Sequence, residues 1–179
     1  MSPVPGAILS LDQSLSGTGW VLLAGDQVTG GVWPLCDGIR HRAQGFRTLF
    51  GYLDAMHKDH QLAEILHEEP ISGPKDTTPK RVALFGLVAI IELFGVSRGI
   101  KVTAHPSQSW RGTFFSAEER KQFRGKDWKR PAIERSRQLG HDPSTDDEAE
   151  AFAILDHHLH CQRIIPPWRV AHPFLETLA

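Results

Sequence analysis

The sequence predicts an α/β fold, a five-stranded mixed sheet with helices on both of its faces. Three short apolar runs separated by tight turns open the chain, which is typical of an antiparallel meander. Helical spacings of apolar residues then alternate with two further apolar runs, which is typical of parallel strands joined by helices. The length of 179 residues, with 40% hydrophobic and 23% charged residues, fits one soluble globular domain.

The predicted meander occupies the first 33 residues of the chain. Its strands cover residues 7–11, 20–24 and 28–33. Asp12 directly follows the first strand, and a segment rich in serine and glycine leads from it to the second. Gly25 supplies the tight turn before the third strand.

The rest of the chain is predicted to alternate helices with strands. Apolar residues three or four apart predict a helix over residues 40–58, and a strand over 62–66 follows it. A mostly apolar helix over 79–96 and a strand over 100–104 come next. Three further helices are predicted at residues 106–115, 127–139 and 145–160. We assign residues 1–165 to one domain and residues 166–179 to a C-terminal tail.

The charges of the chain are unevenly placed. The net charge is only -1, but residues 98–139 hold eleven bases and four acids, a net charge of +7, which leaves -8 for the remainder. A basic block of this size is typical of proteins that hold a phosphate backbone, although a solvated helix face is the alternative interpretation. The near-neutral total therefore does not exclude a nucleic-acid enzyme.

The sequence has no sign of export or of membrane insertion. It lacks the basic start and apolar core of a signal peptide, and no uncharged apolar run is long enough for a membrane span. Cys36 and Cys161 match neither a disulfide framework nor a zinc spacing. We therefore expect a cytoplasmic protein with no membrane partner.

Carboxylates follow two of the predicted strands and begin the last helix. Asp12 ends the first strand, and Glu68 and Glu69 follow the fourth. Asp147 and Glu150 are three residues apart and so share one helix face. If these elements meet at one edge of the sheet, the acids repel one another unless divalent cations lie between them, and oxygen ligands without cysteine or histidine indicate Mg²⁺ or Mn²⁺. For each acid alone, a turn or a helix-dipole role is the alternative.

Three motifs in this order resemble the RuvC-type Holliday junction resolvases of the RNase H-like superfamily. The first is Ile8-Leu9-Ser10-Leu11-Asp12-Gln13-Ser14 with Gly17-Thr18-Gly19-Trp20, and the second is His67-Glu68-Glu69-Pro70. The third begins at Asp147 and runs through Glu150 into a small apolar stretch. The spacing of Pro106, Trp110 and Arg111 is similar to the phage and prophage branch in particular.

The resemblance implies an RNase H-like fold and a homodimer that makes paired cuts in four-way DNA junctions. It implies hydrolysis with two Mg²⁺ or Mn²⁺ ions, leaving 5′-phosphate and 3′-hydroxyl ends, and no nucleotide cofactor. Carried over by position, Asp12, Glu68, Asp147 and Glu150 are the expected metal ligands. The family more often has aspartate where Glu150 stands, and we prefer Glu68 to Glu69 because the family's glutamate directly follows the strand.

The basic block supplies the candidate DNA contacts. Lys126 matches a lysine that RuvC-like enzymes place near the active site, so we assign it a catalytic role. We expect DNA contacts from Arg111, Arg124, Lys126, Lys129 and Arg130. A phage-encoded member would act in the cytoplasm of its bacterial host. Residues 82–96 are our candidate for part of the dimer interface, with core burial as the alternative.

Two other functions fit the same sequence. One is a less selective nuclease that cuts flaps or other branched DNA on the same fold. The other is a protein that binds junctions without cutting them, which has no need of all four carboxylates.

Overall fold

The structure, a computed structural model, describes residues 6–70, 77–123 and 127–171. Within these ranges the chain forms five strands and seven α-helices. The strands are β1 (Ala7–Asp12), β2 (Thr18–Ala24), β3 (Gln27–Trp33), β4 (Leu62–Glu68) and β5 (Lys101–His105). The helices are α1 (Arg42–His60), α2 (Thr78–Arg98), α3 (Ser107–Phe114), α4 (Ala117–Phe123), α5 (Lys129–Gln138), α6 (Asp146–Cys161) and α7 (Pro167–Ala171).

The strands form one mixed sheet in the order β3-β2-β1-β4-β5. The first three strands pair antiparallel, and β1–β4 and β4–β5 pair parallel. This topology confirms the predicted meander extended by parallel strands. It makes β1 and β4 neighbours that run in the same direction, so their carboxyl ends lie at the same edge of the sheet.

Alternation along the strands divides the core into two halves. Leu9 and Leu11 of β1 belong to a buried cluster with residues of α1 and α2, on what we call the α2 face. Ile8 of β1 and Leu66 of β4 belong to a second cluster, which includes α3, α5 and α6, on the α6 face. Because side chains alternate between faces, Asp12 and Glu68 share the α6 face with these two residues.

Helix α6 is the most deeply buried helix of the α6 face. Thr145 caps its start, since its side-chain oxygen accepts a hydrogen bond from the Glu148 amide at 3.2 Å. The first turn then lies directly against β2 at Gly19, where a Cβ atom would lie 2.1 Å from the carbonyl carbon and oxygen of Asp147. Gly19 is also the strand partner of Asp12, so this close approach brings the start of α6 to the end of β1.

Two helices were not predicted. Helix α4 begins after a reciprocal capping box, in which the Ser116 amide donates to Glu119 at 2.7 Å and the Glu119 amide donates back to the Ser116 hydroxyl at 3.2 Å. Helix α7 packs onto α6, because Trp168 donates its indole N–H to Asp156 at 2.7 Å and Arg169 pairs with the same carboxylate at 2.6 Å. The Ser-x-x-Glu spacing signals α4 in the sequence, whereas these tertiary contacts stabilise the short α7.

No helix in the described part of the chain combines the length and the apolar character that crossing a membrane requires.

We expect Gly19→Ala to destabilise the fold by about 2 kcal/mol or more, because its methyl group would overlap the Asp147 carbonyl. The matched control is Gly51→Ala in α1, where a Cβ meets nothing within 4 Å. The control should raise the unfolding free energy by about 0.5–1 kcal/mol, since alanine favours the helix. Urea unfolding measures both values, and equal stability of Gly19→Ala and wild type would contradict the close approach of α6 to β2.

Candidate active site

Two parallel strands and one helix bring carboxylates to the same edge of the sheet. Asp12 ends β1 and Glu68 ends β4, both on the α6 face. Glu150 stands one turn into α6, whose first turn lies against Gly19. Carboxylate oxygens of these three residues lie within 4.8 Å of one another. Elements far apart in sequence therefore form one acidic cluster, which we call the carboxylate cluster.

Asp147, the fourth predicted acid, flanks the carboxylate cluster without belonging to its closest group. Its side chain is half-buried in the first turn of α6, and its charge acts on both Asp12 and Glu150. The structure therefore brings three of the four predicted acids into one group and leaves the fourth at its margin.

Burial and mutual repulsion raise the pKa values of the carboxylate cluster. Burial, followed by the charges of Glu150, Glu68 and Asp147, raises the pKa of Asp12 well above its usual value. Burial and the Glu68 charge raise the pKa of Glu150 to about 7. Burial also raises the pKa of Glu68, against the opposing charge of Arg111. The charged forms of these carboxylates are therefore unfavourable in the protein alone. A bound divalent cation would stabilise them.

Two bases from the predicted DNA-binding set lie beside the carboxylate cluster. Arg111 opposes the rise in pKa of both Glu68 and Glu150, and its guanidinium lies 4.8 Å from the ring of Trp110 and 5.5 Å from that of Trp128. Lys129 forms an ion pair with Asp146. That pair, and the nearby charges of Asp147 and Glu150, raise the pKa of Lys129. Both bases therefore place a positive charge beside the carboxylate cluster.

The other predicted DNA contacts divide between the surface and parts of the chain that the structure does not describe. Arg130 is exposed on α5 and pairs with Glu134 at 2.8 Å. Lys126 and Arg124 lie outside the described residues, so their assigned roles stay predictions. The charges of Asp147 and Glu150 help to raise the pKa of Lys129, which places this lysine near the site.

Glu68 and Glu69 occupy different environments. Glu68 is half-buried within the carboxylate cluster, whereas Glu69 is exposed and its amide donates to the main-chain oxygen of His105 at 2.9 Å. The strand alternation that separates adjacent side chains accounts for this difference.

One residue that supports the site, Gln13, was not among the predicted site residues. Gln13 is buried and donates its amide N–H to the main-chain oxygen of Glu68 at 2.6 Å. The backbone pairing of β1 with β4 ends at Leu11 and His67. The hydrogen bond from Gln13 therefore links the two chain segments just beyond the end of the paired strands. A polar residue directly after the strand-end acid was the available signal.

The donor set of the carboxylate cluster fits a hard divalent cation. Its ligands are carboxylate oxygens alone, from Asp12, Glu68 and Glu150, and their spacing of at most 4.8 Å allows them to share an ion. Burial and mutual repulsion raise the pKa values of Asp12 and Glu150, so a bound cation would favour their charged forms. Mg²⁺ or Mn²⁺ would therefore be held by these three residues, with Asp147 next to them.

Without divalent ions, we expect Asp12→Asn to raise the unfolding free energy at pH 8 by about 1–2 kcal/mol, because it removes one of the repelling charges. The folded-state pKa values are raised, so the acids oppose folding more as pH rises from about 4.5 through about 7. Wild type should lose stability across that window more steeply than Asp12→Asn. Urea unfolding in EDTA measures this, with Asp26→Asn in the exposed β2–β3 turn as the control. Destabilisation by Asp12→Asn would contradict the repulsion.

No protein-family model matches the sequence, and no curated protein matches it. Among solved structures, RuvC of Thermus thermophilus in complex with a Holliday junction substrate has a TM-score of 0.68 at 12% identity, covering 88% of this chain and 95% of that one. A further structure of Thermus thermophilus RuvC gives 0.64 at 15% identity, with the same coverage.

The yeast mitochondrial Holliday junction resolvase is also similar, with a TM-score of 0.60 at 12% identity, covering 96% of this chain and 84% of that one. The narrower resemblance to the phage branch stays a prediction. At these identities the likeness concerns the fold, and it confirms the α/β, RNase H-like fold of RuvC-type resolvases that the sequence motifs implied.

Proposed function

We propose that this protein is a metal-dependent endonuclease that resolves four-way DNA junctions. The observation that carries the proposal is the carboxylate cluster, in which Asp12, Glu68 and Glu150 converge at one edge of a sheet. The fold of the chain, shared with a resolvase that was solved with a Holliday junction, supports the choice of substrate.

The residues of the chain divide the work of phosphodiester hydrolysis between them. Asp12, Glu68 and Glu150 hold the cations, and Asp147 adds negative charge beside them. Divalent ions at such a site activate water and stabilise the charge that develops on the phosphate. Gln13 holds the main chain of Glu68 in place, and the close approach at Gly19 holds the helix acids against the strand acid.

Arg111 and Lys129 supply the positive charge that brings a phosphate to an acidic site. The indole rings of Trp110 and Trp128 flank the Arg111 guanidinium, which fixes its position with little loss of side-chain freedom on binding. Lys129, the first residue of α5, adds a positive charge near the acids of α6. Arg130, exposed on α5, adds positive charge for the DNA backbone, and the contacts of Arg124 and Lys126 with DNA stay predictions from the sequence.

The chain acts as a homodimer in this proposal, because paired cuts on opposite strands require two symmetric sites. Helix α2 offers a surface for it. Its exposed apolar residues, spaced three or four apart along one face, are Val82, Phe85, Ala89, Leu93 and Val96. Val96 is 83% exposed and Leu93 is 60% exposed. An apolar stripe at this spacing is typical of a helix that pairs with another helix.

The adjacent glutamates of β4 allow a matched test of the active site. We expect Glu68→Gln to reduce cutting of a labelled four-way junction by about 100-fold or more, since it removes a metal ligand. Glu69→Gln makes the same chemical change on an exposed side chain and should stay within a few-fold of wild type.

The measurement compares cleavage of four-way junction, flap and linear duplex DNA in Mg²⁺, Mn²⁺ and EDTA. Wild type should cut the junction fastest and should be inactive in EDTA. Activity in EDTA, or equal losses in the two glutamine variants, would contradict the metal site. Equal cutting of junction and flap would indicate a less selective nuclease for branched DNA. Binding of the junction without any cutting would indicate a junction-binding protein that is not an enzyme.

Helix α2 allows a test of the dimer. Leu93→Glu places a charge in the middle of the apolar stripe and should convert a dimer to a monomer, as measured by sedimentation velocity. The monomer should retain the melting temperature of a folded chain. Gln122→Glu on the exposed surface of α4 is the matched control and should remain dimeric. A wild-type monomer, or a dimer that Leu93→Glu leaves intact, would contradict the assignment of this stripe.

A further inference from the structure

A third acid, Glu148, is buried in the first turn of α6 between Asp147 and Glu150. It is only 4% exposed. One of its carboxylate oxygens accepts hydrogen bonds from the amide and the hydroxyl group of Ser144, at 2.9 and 2.7 Å. Its own amide donates to the hydroxyl oxygen of Thr145 at 3.2 Å. The side chain of Glu148 therefore joins α6 to the segment that precedes the helix.

The other carboxylate oxygen of Glu148 faces β3, the strand at the edge of the sheet. A Cβ atom at Gly30 of β3 would lie 2.6 Å from this oxygen, so a larger residue there would displace it. Nε2 of His141 lies 3.1 Å from the same oxygen, although it is not aligned for a hydrogen bond. The His141 ring stacks on Phe152 with a centroid distance of 4.7 Å, which holds the ring in place.

Two glycines on neighbouring strands therefore receive the start of α6. The main chain of Asp147 lies against Gly19 of β2, and the side chain of Glu148 lies against Gly30 of β3. A helix that touches a sheet at one point can still turn about that point, whereas two contacts fix its direction. Glu150 follows Glu148 by two positions, which places it about 200° around the helix. A movement of α6 that released Glu148 would therefore also move Glu150.

We propose that Glu148 is a positioning residue of the metal site. The inference rests on the proposed nuclease function and adds a residue that contacts neither the cation nor the DNA. By joining α6 to Ser144 and to β3, Glu148 keeps the carboxylate of Glu150 within reach of a cation shared with the strand acids. Residues that hold metal ligands in place commonly change metal affinity by about 10- to 100-fold when they are replaced.

Helix capping alone is the alternative role for Glu148. It stands three residues after Thr145, which is the position of the acid in a capping box. Glu119 has the same position at the start of α4, where it accepts a hydrogen bond from the Ser116 amide at 2.7 Å. Helix α4 carries none of the predicted metal ligands. Glu119→Ala is therefore a matched control, because it makes the same change in the same motif away from the site.

The first experiment measures Mn²⁺ binding to the folded chain by calorimetry, without DNA. Glu148→Ala should weaken binding about tenfold, and Ser144→Ala, which removes one of the two hydrogen bonds, should weaken it less. Glu148→Gln retains an acceptor for Ser144 and should bind nearly as wild type does, as should Glu119→Ala. Equal losses in Glu148→Gln and Glu148→Ala would show that the charge of Glu148 acts on the cation directly, and would overturn the positioning role.

The second experiment needs neither metal nor cleavage. In EDTA at pH 8, Asp12→Asn should raise the urea midpoint because it relieves the repulsion between Asp12 and the acids Glu150 and Glu68. In the Glu148→Ala background Glu150 is no longer held near Asp12, so this gain should fall by about half. The gain should be complete in the Glu119→Ala background. If Glu148→Ala does not fold, Ser144→Ala provides the background, and a smaller gain is again expected.

The outcomes separate this inference from the nuclease proposal. If Glu148→Ala binds Mn²⁺ as Glu119→Ala does, and Asp12→Asn gains as much stability in both backgrounds, Glu148 only caps the helix and the nuclease stands. A wild type that binds Mn²⁺ but cuts no DNA would overturn the nuclease and leave Glu148 as a positioning residue of a metal site. A wild type that binds no Mn²⁺ would overturn both.

Discussion

The first turn of α6 lies directly against the backbone of β2 at Gly19, and the candidate site depends on this contact. A methyl group at Gly19 would lie 2.1 Å from the carbonyl of Asp147, so no other residue allows the same approach without movement. Gly19 is also the ladder partner of Asp12. Helix α6 therefore contacts the sheet at Gly19, the residue that pairs with Asp12. Because Gly19 has no side chain, Glu150 of α6 can come close to Asp12.

Bringing these acids together has an electrostatic cost that the chain offsets only in part. Burial and like charge raise the pKa of Asp12 and Glu150, while Arg111 and Lys129 lower the pKa of Glu150 again. Arg111 and Lys129 offset this cost only in part, since the pKa of Glu150 is still raised to about 7. The residual negative charge gives the site its attraction for cations, and the flanking bases keep it approachable for a phosphate. In the proposed nuclease, stability without metal would therefore be exchanged for function.

The sequence predicted the five-stranded sheet and the acids of the site because both depend on local patterns. Alternation along β1 and β4 determines which face Asp12 and Glu68 share, and helical spacing aligns Asp147 with Glu150. The support of the site was not predictable in the same way. The link from Gln13 to Glu68 spans 55 positions, and the stacking of Arg111 with Trp128 joins α3 to the residue before α5. Such contacts exist only once the elements are packed. The capping box of α4, in contrast, could have been predicted from its Ser-x-x-Glu spacing but was not.

Helix α2 connects the proposed site with the proposed assembly. Its inner side, with Leu87 and Ile91, is buried in the core of the α2 face, and its outer side carries the exposed apolar stripe. Phe85 lies on this stripe and also lines a cavity between the β1–β2 loop and α2. If two copies pair through α2, the two carboxylate clusters are held at a fixed separation. A nuclease for single flaps has no use for that constraint, whereas an enzyme that cuts two strands symmetrically depends on it. Oligomeric state and substrate preference are therefore expected to change together in variants of the stripe.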